Sequence, residues 1–397
     1  MKKVFVKLNK VLFKEAFFCM LFSFLILGVI ALIGLNISFF SPFEDAFKDF
    51  SYLDLYYTEK LEEKEEHVNE NIFLVNVDKI NRKEISLLLK AVAEQKPKVI
   101  GVDVIFKELK DPVLDNFLSE SLQKKNVVTT YAFTNSGIDL SNEFIRNENA
   151  TEGYTNFSFT SKSSVIRSFQ GIKKENDTTY LSFGLAVAKK FYGNNWNSSI
   201  EKQLYTERTI NYEANRDGFF VLEYKDLMNQ ESISILKDKI VLLGYLGDAK
   251  THFLDLEDKH FTPMNKKFVG KSSPDTFGIV IHANIINMLI TNNFINEVPN
   301  WVVMLVTLLL SYLALSYFIW LNKKQLASYI LRLNILRIIF VIFFIWFSLL
   351  LFKNQILLKT APIIAVVVFS VSLIGYYKKL VHYLNKKFKW KGYFYQD

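Results

Sequence analysis

The densest group of side chains that could do chemistry lies in one short polar segment of the chain. It contains His252, Asp255, Asp258 and His260. Imidazole together with carboxylate is a ligand set that suits zinc or a similar ion. The spacing matches no dedicated metal motif, and polar residues just before Thr262 are also ordinary loop chemistry. We therefore predict no metal site and no cofactor, and we keep these four residues as the candidates for a metal.

Two more acidic residues follow or lie within predicted strands. Asp78 ends one strand and Asp103 lies in the next. Ligands of open α/β sheets collect near the carboxyl ends of parallel strands, so both side chains could face a shared crevice. In the structural alternative, Asp78 caps the following helix and Asp103 hydrogen-bonds a neighbouring loop.

His282 is the remaining candidate, and it stands in an apolar segment. One interpretation is a core histidine that hydrogen-bonds Asp258 or the loop at Thr262 and Pro263. The other is a pH-sensing role, because an imidazole pKa near 6.5 is easily moved across the working range. With Asp78, Asp103 and Asp258, His282 completes the predicted set of ligand-binding residues.

Motifs for catalysis are missing from the sequence. It contains no P-loop, no glycine-rich dinucleotide turn after a strand, and no signature of a serine or cysteine nucleophile. We therefore expect no catalytic residues and a protein that is not an enzyme.

Alternating apolar strands and amphipathic helices must position these residues. Strands are predicted at 71–78, 98–106, 126–133 and 239–244, helices at 81–95, 113–123, 182–192 and 283–290, a hairpin at 165–181 and an extended segment at 278–282. Strand–helix–strand repeats imply a parallel sheet covered by helices. The predicted fold class is an α/β ectodomain with a mainly parallel sheet, combined with four α-helical transmembrane segments.

Four apolar runs are long enough to suggest membrane helices. They cover 17–40, 301–320, 335–352 and 356–377. The last two could instead form one re-entrant hairpin. The interval 41–300 is long enough for a folded domain.

Basic residues set the predicted orientation, because lysine and arginine accumulate on the cytoplasmic side. They are concentrated in 1–16, 321–334 and 378–397, which lie on one side of the membrane if there are four spans. We therefore place both termini in the cytoplasm and 41–300 outside. The expected location is the inner (cytoplasmic) membrane of a bacterium, with the domain in the periplasm or outside the cell.

The charge of the domain excludes one class of partner. The chain carries +8 overall, but residues 41–320 hold 31 Lys and Arg against 38 Asp and Glu, a net −7. A nucleic-acid-binding domain needs a basic face, so we expect no nucleic-acid partner. The single cysteine, Cys19, lies in the first apolar run, and a disulfide-free ectodomain is ordinary in a bacterial envelope.

Four motifs of the domain resemble the CHASE2 family, the extracytoplasmic sensory domains of bacterial signalling proteins. They are 101–106 (GVDVIF), 237–244 (KDKIVLLG), 258–263 (DKHFTP) and 278–284 (GIVIHAN). Their order, their spacing and the three apolar runs that follow agree with the family. In one departure, Ile80–Asn81–Arg82–Lys83 stands where the family often carries Trp-Pro.

The resemblance implies a sensor of an unknown small ligand or envelope signal. The family usually carries a kinase, cyclase or similar output domain after its third following span, and none follows here. We therefore expect the signal to pass to a separate partner protein, with the lipid bilayer and a possible homodimer as the other contacts. The alternative is a structural or accessory subunit of an envelope complex.

Overall fold

The computed structural model divides into two compact units. One consists of residues 45–295, and the other of residues 1–44 together with 296–397. The structure describes residues 2–34, 54, 56–57, 68–77, 80–146, 150–157, 165–228, 235–248, 256–265, 273–324, 326, 328–390 and 392–395. Asp78, His252 and Asp255, three of the predicted site residues, lie outside the described residues.

The strands and helices are numbered here in chain order. The strands are β1 (Asn69–Asn76), β2 (Val99–Val102), β3 (Val127–Thr134), β4 (Gly137–Asp139), β5 (Thr151–Tyr154), β6 (Ser168–Phe169), β7 (Ile172–Glu175), β8 (Thr178–Leu181), β9 (Arg208–Thr209), β10 (Phe219–Leu222), β11 (Ile240–Gly244), β12 (Lys259–His260), β13 (Thr276–Phe277), β14 (Asn296–Glu297) and β15 (Ile356–Leu357). The helices are α1 (Lys2–Gly34), α2 (Arg82–Glu94), α3 (Pro112–Leu122), α4 (Phe183–Tyr192), α5 (Glu201–Leu204), α6 (Tyr224–Met228), α7 (Gly278–Thr291), α8 (Asn300–Lys323), α9 (Tyr329–Lys353), α10 (Thr360–Ser372) and α11 (Ile374–Phe388).

A seven-stranded sheet organises the 45–295 unit. Its order is β10–β1–β11–β2–β3–β4, and β5 also pairs with β3. Every neighbouring pair is parallel except β3 and β4. The predicted parallel strands are therefore confirmed, and the antiparallel β4 makes the sheet mixed. Strand β11, late in the sequence, lies between β1 and β2.

Apolar residues are buried on both faces of this sheet. Leu242 of β11 packs on one face with Phe183 of α4 and Ile279 of α7. Its neighbours Val241 and Leu243 pack on the other face with residues of α2 and α3. A parallel strand covered on both sides needs an uninterrupted apolar sequence, which explains the IVLLG run of β11.

The helix starts follow local capping chemistry. The side chain of Asn81 accepts a hydrogen bond from the backbone of Glu84, whose side chain accepts one from Asn81, which is a capping box. Asp111 caps α3, where Pro112 occupies the first turn, and Ser182 caps α4. These signals explain why the predicted helices at 81–95, 113–123 and 182–192 are confirmed to within one or two residues.

Three predicted segments differ from the structure. The hairpin predicted at 165–181 is confined to β7 and β8, because β6 pairs with β9 instead. The strand predicted at 98–106 ends at Val102, so Asp103 follows the strand rather than lying within it. The segment 278–282 is the first part of helix α7 rather than an extended segment. A short run of β-branched apolar residues does not distinguish a buried strand from a buried helix, which is the reason for the error at 278–282.

The other unit contains the candidate membrane spans. Residues Lys10–Ile30 of α1, helix α8 and helix α9 are each long and apolar enough to cross a membrane. Helices α10 and α11 pass the same test together, but they are bent by 43° at their junction. The described residues therefore contain three candidate spans, or four if the bent pair crosses as one.

Short contacts near the start of α8 connect separate parts of this unit. Strand β14 pairs in parallel with β15. The backbone N–H of Asn296 donates to the carbonyl of Gln355 at 2.7 Å, and that of Val298 donates to Leu357 at 3.0 Å. The start of α8 and the connection between α9 and α10 therefore lie at the same end of the unit.

Candidate functional site

A largely buried chain of three polar side chains lies at the carboxyl edge of the sheet. Asp103 directly follows β2, and Thr155 directly follows β5, so parallel strands bring the two residues to the same edge. His282 reaches them from the second turn of α7. We call these three residues the Thr155 cluster.

Hydrogen bonds join the cluster through the threonine hydroxyl. Thr155 Oγ1 donates to Asp103 Oδ1 at 3.0 Å and lies 2.9 Å from His282 Nε2. His282 Nε2 and Asp103 Oδ2 are 3.9 Å apart. A hydroxyl carries one hydrogen, so while Thr155 donates to Asp103, its oxygen accepts from the Nε2–H of His282.

The direction of the hydrogen bonds in this cluster depends on whether Asp103 carries a proton. When Asp103 is ionised it can only accept, and Thr155 donates to it. When Asp103 is protonated it can donate to Thr155, whose own hydrogen can then point at an unprotonated His282 Nε2. The cluster therefore has one hydrogen-bond arrangement when Asp103 is ionised, and a second becomes available when Asp103 is protonated and the neutral His282 carries its hydrogen on Nδ1.

Burial raises the pKa of Asp103 to about 7, with a further upward contribution from the charge of Asp258 and a downward one from the Thr155 hydrogen bond. The first cause dominates because a carboxylate loses its hydration when it is removed from water. Asp103 is thus a carboxyl group that changes protonation near neutral pH.

The pKa of His282 moves in the opposite direction. Burial lowers it to about 3, the electrostatic effect of His260 lowers it further, and a hydrogen bond with the Thr155 backbone raises it. His282 is therefore neutral at physiological pH. Its 3.9 Å approach to Asp103 is a contact between an imidazole and a carboxyl group, not an ion pair.

A more exposed layer covers the cluster. His260 Nε2 lies 3.5 Å from Asp258 Oδ1, and Phe157 contacts both histidine rings, with centroid distances of 5.2 Å to His260 and 4.7 Å to His282. Side-chain exposure falls from 42% at Asp258 and 24% at His260 to 12% at Asp103 and 4% at His282. The polar side chains thus form a series from solvent into the core.

Asp258 packs closely against the glycine at the start of α7. A Cβ atom on Gly278 would lie only 3.0 Å from Asp258 Oδ2 and 3.1 Å from Oδ1. The backbone N–H of Gly278 also donates to the Asp258 carbonyl at 3.0 Å. The carboxylate therefore lies against the N-terminus of α7, where the helix dipole favours negative charge.

Three of the four predicted ligand-binding residues lie together. Asp103 and His282 belong to the Thr155 cluster, and Asp258 belongs to the layer above it. The hydrogen-bond partner predicted for His282 was wrong, because the imidazole bonds Thr155 rather than Asp258 or the Thr262 loop. Thr262 instead hydrogen-bonds Thr276 at 2.9 Å.

The structure describes two of the four candidate metal ligands. Asp258 and His260 are neighbours, whereas His252 and Asp255 lie outside the described residues. Within the described ranges, no group of three or more His, Cys, Asp and Glu side chains could hold a metal ion. Among the described residues, Asp258 and His260 therefore supply two possible metal ligands and no more.

Sequence reasoning missed Thr155 and Phe157. Both follow β5, a strand of four residues that was not predicted. The available signal was positional, because polar residues just after a parallel strand reach the same edge as Asp103. The strand was too short to be recognised from its pattern, so this signal could not be used.

Asn284, two residues beyond His282, has a structural role. Its Oδ1 accepts from the backbone N–H of Glu213 at 2.8 Å and of Ala214 at 3.1 Å, and its Nδ2 donates to the carbonyls of Ala214 and Val280. All hydrogen-bonding capacity of this buried amide is used. Asn284 therefore fixes the 213–214 segment to α7.

Comparison with known families now tests the resemblance. The model of the CHASE2 domain matches residues 27–320, which is more than half of the chain. The chain belongs to the CHASE2 family. CHASE2 domains are extracytoplasmic sensory domains, so the family predicted from the four motifs is confirmed. No curated protein and no solved structure matches the chain.

The CHASE2 motifs coincide with the site. Segment 101–106 supplies Asp103, segment 258–263 supplies Asp258 and His260, and segment 278–284 supplies Gly278 and His282. The fourth, 237–244, contains β11, whose Leu243 carbonyl accepts from the backbone N–H of Asp103 at 2.8 Å. In this CHASE2 domain the four motifs thus build one edge of the sheet.

Proposed function

We propose that the protein is a multi-pass sensor of the bacterial inner membrane. Its CHASE2 domain lies outside the cytoplasm, receives a small ligand or another envelope signal, and passes the signal to a separate partner protein. It acts as a receptor and not as an enzyme. Both termini lie in the cytoplasm. The observation that carries this proposal is the buried Thr155 cluster.

A receptor needs an element with two states that a signal can bias. The Thr155 cluster can meet this requirement, because its hydrogen bonds run in one direction when Asp103 is ionised and can reverse when Asp103 gains a proton. A ligand that donates to Asp103 or carries charge near Asp258 would favour one arrangement over the other. The exposed layer of Asp258 and His260 offers such a ligand its first contacts.

The cluster is also connected along the chain to the membrane unit. His282 lies in α7, which ends at Thr291, and residues 292–299 lead from there into α8. Pro299 is the N-cap residue of α8. A change in the hydrogen bonds of His282 therefore has a short covalent route to a candidate span.

Hydrogen exchange of the full-length protein in lipid nanodiscs tests this proposal. Amide protection is measured at about pH 5 and about pH 8, on either side of the Asp103 pKa of about 7. After correction for intrinsic exchange rates, we expect protection of 278–291 and 300–310 to differ between the two pH values. Asp103→Asn, which mimics the protonated carboxyl group, should resemble the low-pH state at both.

Inserting a Gly-Ser pair after Pro299 separates the receiving step from its transmission. If the route through residues 292–299 carries the signal, this variant keeps the pH-dependent change in 278–291 and loses it in 300–310. The same pair inserted after Ser136, in the turn between β3 and β4, is the control and should leave both changes intact.

The opposite outcome supports the other candidate function. Protection that is the same at both pH values, and the same in Asp103→Asn, would show that the cluster does not switch. The protein would then be better described as an accessory subunit of an envelope complex. Purification in mild detergent with identification of bound proteins distinguishes the two partner classes, a regulator or a component of envelope machinery.

A further inference from the structure

An exposed groove runs between α2 and α3, on the face of the sheet opposite α4 and α7. It encloses about 480 Å³. It is lined on α2 by Lys83, Ser86, Leu87 and Lys90, and on or just after α3 by Leu114, Phe117, Glu120, Ser121 and Lys124. Its volume is within the usual range of binding pockets, roughly 300–1,000 Å³. We call it the α2–α3 groove.

Two large apolar side chains are exposed in this groove without serving the core. Leu87 is 41% exposed and Phe117 is 54% exposed. The core-facing residues of the same helices are Leu88, Leu89 and Leu118, all buried. Leu87 and Phe117 thus give the groove an apolar floor that is exposed to solvent.

Three lysines surround this floor in a domain that is otherwise acidic. Among the described residues, Lys83, Lys90 and Lys124 make no ion pair, whereas Lys107 and Lys189 do. The single acidic residue of the lining, Glu120, accepts a hydrogen bond from Asn116. The groove therefore presents positive charge that favours an acidic occupant.

The spacing of the lysines favours an elongated occupant. Lys83 and Lys90 are seven residues apart, which places them two turns and about 10 Å apart along α2. Lys124 follows the C-terminal end of α3. A single anionic headgroup would be bound by cations gathered at one end, whereas these are distributed along the groove.

A buried ion pair joins the two helices that form the groove. Arg82, the first residue of α2, pairs with Asp115 in the first turn of α3, and both side chains are buried. Arg82 also donates to the carbonyl of Glu108. Because α2 and α3 are fixed to each other, an occupant finds a formed groove and does not have to create one.

From these observations we propose that the α2–α3 groove is a docking site for an amphipathic helix of a partner protein. The helix would place apolar residues on Leu87 and Phe117 and carry acidic residues two turns apart against Lys83 and Lys90. Docking of an amphipathic helix between two helices is a common mode of recognition. The proposal does not depend on whether the Thr155 cluster receives a signal.

Photocrosslinking in the cells that naturally make the protein tests this site. The photoreactive residue p-benzoylphenylalanine replaces Leu87 or Phe117 in the full-length chain, and crosslinked peptides are sequenced by mass spectrometry. The control position is Ile138 on β4, which is 39% exposed and does not line the groove. We expect both groove positions to crosslink one protein segment that has helical apolar periodicity and acidic residues seven positions apart.

Charge variants provide the second part of the test. The double variant Lys83→Glu/Lys90→Glu should lower crosslinking about fivefold or more, because two attractive pairs become repulsive. Lys83→Arg/Lys90→Arg should retain it, and so should Lys202→Glu on α5, an exposed lysine outside the groove. Protease resistance of each variant shows that the domain is folded.

The proposal is overturned by any of four results. These are crosslinking no stronger than at Ile138, crosslinking to lipid, crosslinking to a second copy of this chain, and crosslinking to a segment without acidic residues. Crosslinking that is insensitive to the double charge reversal also contradicts it, because the lysines would then have no part in recognition.

Discussion

His282 Nε2 and Asp103 Oδ2 lie 3.9 Å apart, and the Thr155 hydroxyl is hydrogen-bonded to both side chains. The two residues come from a helix and from the end of a strand that are distant in sequence. Burial acts on them in opposite directions, since it raises the pKa of Asp103 to about 7 and lowers that of His282 to about 3. Both are therefore neutral in mildly acidic conditions.

Replacing Asp103 by asparagine should remove one component of the pH dependence of stability. The folded protein holds a proton on Asp103 up to pH about 7, whereas the unfolded chain releases it near 3.8. Folding therefore binds a proton in this window, and stability falls as pH rises through it. The stability of Asp103→Asn relative to wild type should rise by a few kcal/mol at most from about pH 4 to pH 7 and then level off. Hydrogen exchange of the slowest amides of β1 and β11 measures this stability. A difference between the variant and wild type that does not change with pH would contradict the raised pKa of Asp103.

Removing the charge of Asp258 should shift the pH range in which the protonation of Asp103 changes the stability of the domain. Asp258 raises the pKa of Asp103, so Asp258→Asn should move the pH dependence attributed to Asp103 to lower pH. The same exchange measurement, or the carboxyl ¹³C shift of Asp103, reports the change. Asp177→Asn is the control, because its fully exposed side chain lies in the β7–β8 turn, and it should leave the midpoint unchanged.

Removing the hydroxyl of Thr155 should destabilise the domain. Thr155→Val keeps the shape but leaves Asp103 and His282 without their shared partner, which costs about 1–3 kcal/mol. Thr155→Ser restores the hydroxyl and should recover most of the loss. Destabilisation by Ser with none by Val would show that the methyl group, and not the hydrogen bonds, is what matters at this position.

A carboxylate at Leu242 should prevent folding of the domain. Leu242 is fully buried in β11 between β1 and β2, so Leu242→Asp costs several kcal/mol in unpaired desolvated charge. Expression level and protease resistance are the measurements. Leu256→Asp is the control, since Leu256 is 58% exposed and should tolerate the change. Val104, which we predicted on a central strand, lies beyond the end of β2 and is only partly buried. Val104→Asp should therefore destabilise the domain less than Leu242→Asp.

Reporter fusions should distinguish the two ends of the membrane unit. A fusion at Gln123 in the domain should report an external location. A fusion at Asn354 should do the same, because β14 pairs with β15 and places this connection at the end where α8 begins. Fusions at Asn322 and Asp397 should be cytoplasmic. An external signal at Asp397 would exclude four spans.

Local patterns in the sequence determined the membrane class, the family and most helices of the domain. Hydropathy marks α8 and α9 because a membrane span must be apolar along its whole length. The capping residues Asn81, Asp111 and Ser182 mark helix starts because the chemistry involves only neighbouring residues. The ordered motifs identified CHASE2 for a similar reason, since each is a contiguous segment.

Only the tertiary structure decided the candidate site. Asp103 and His282 were individually recognisable, but Thr155 joins them through β5, a strand too short to leave a readable pattern. The insertion of β11 between β1 and β2 also fixes the backbone of Asp103, and strand order is a property of long-range pairing. A pKa near neutral depends on burial and on a charge from another loop, and neither is encoded in the residues next to Asp103.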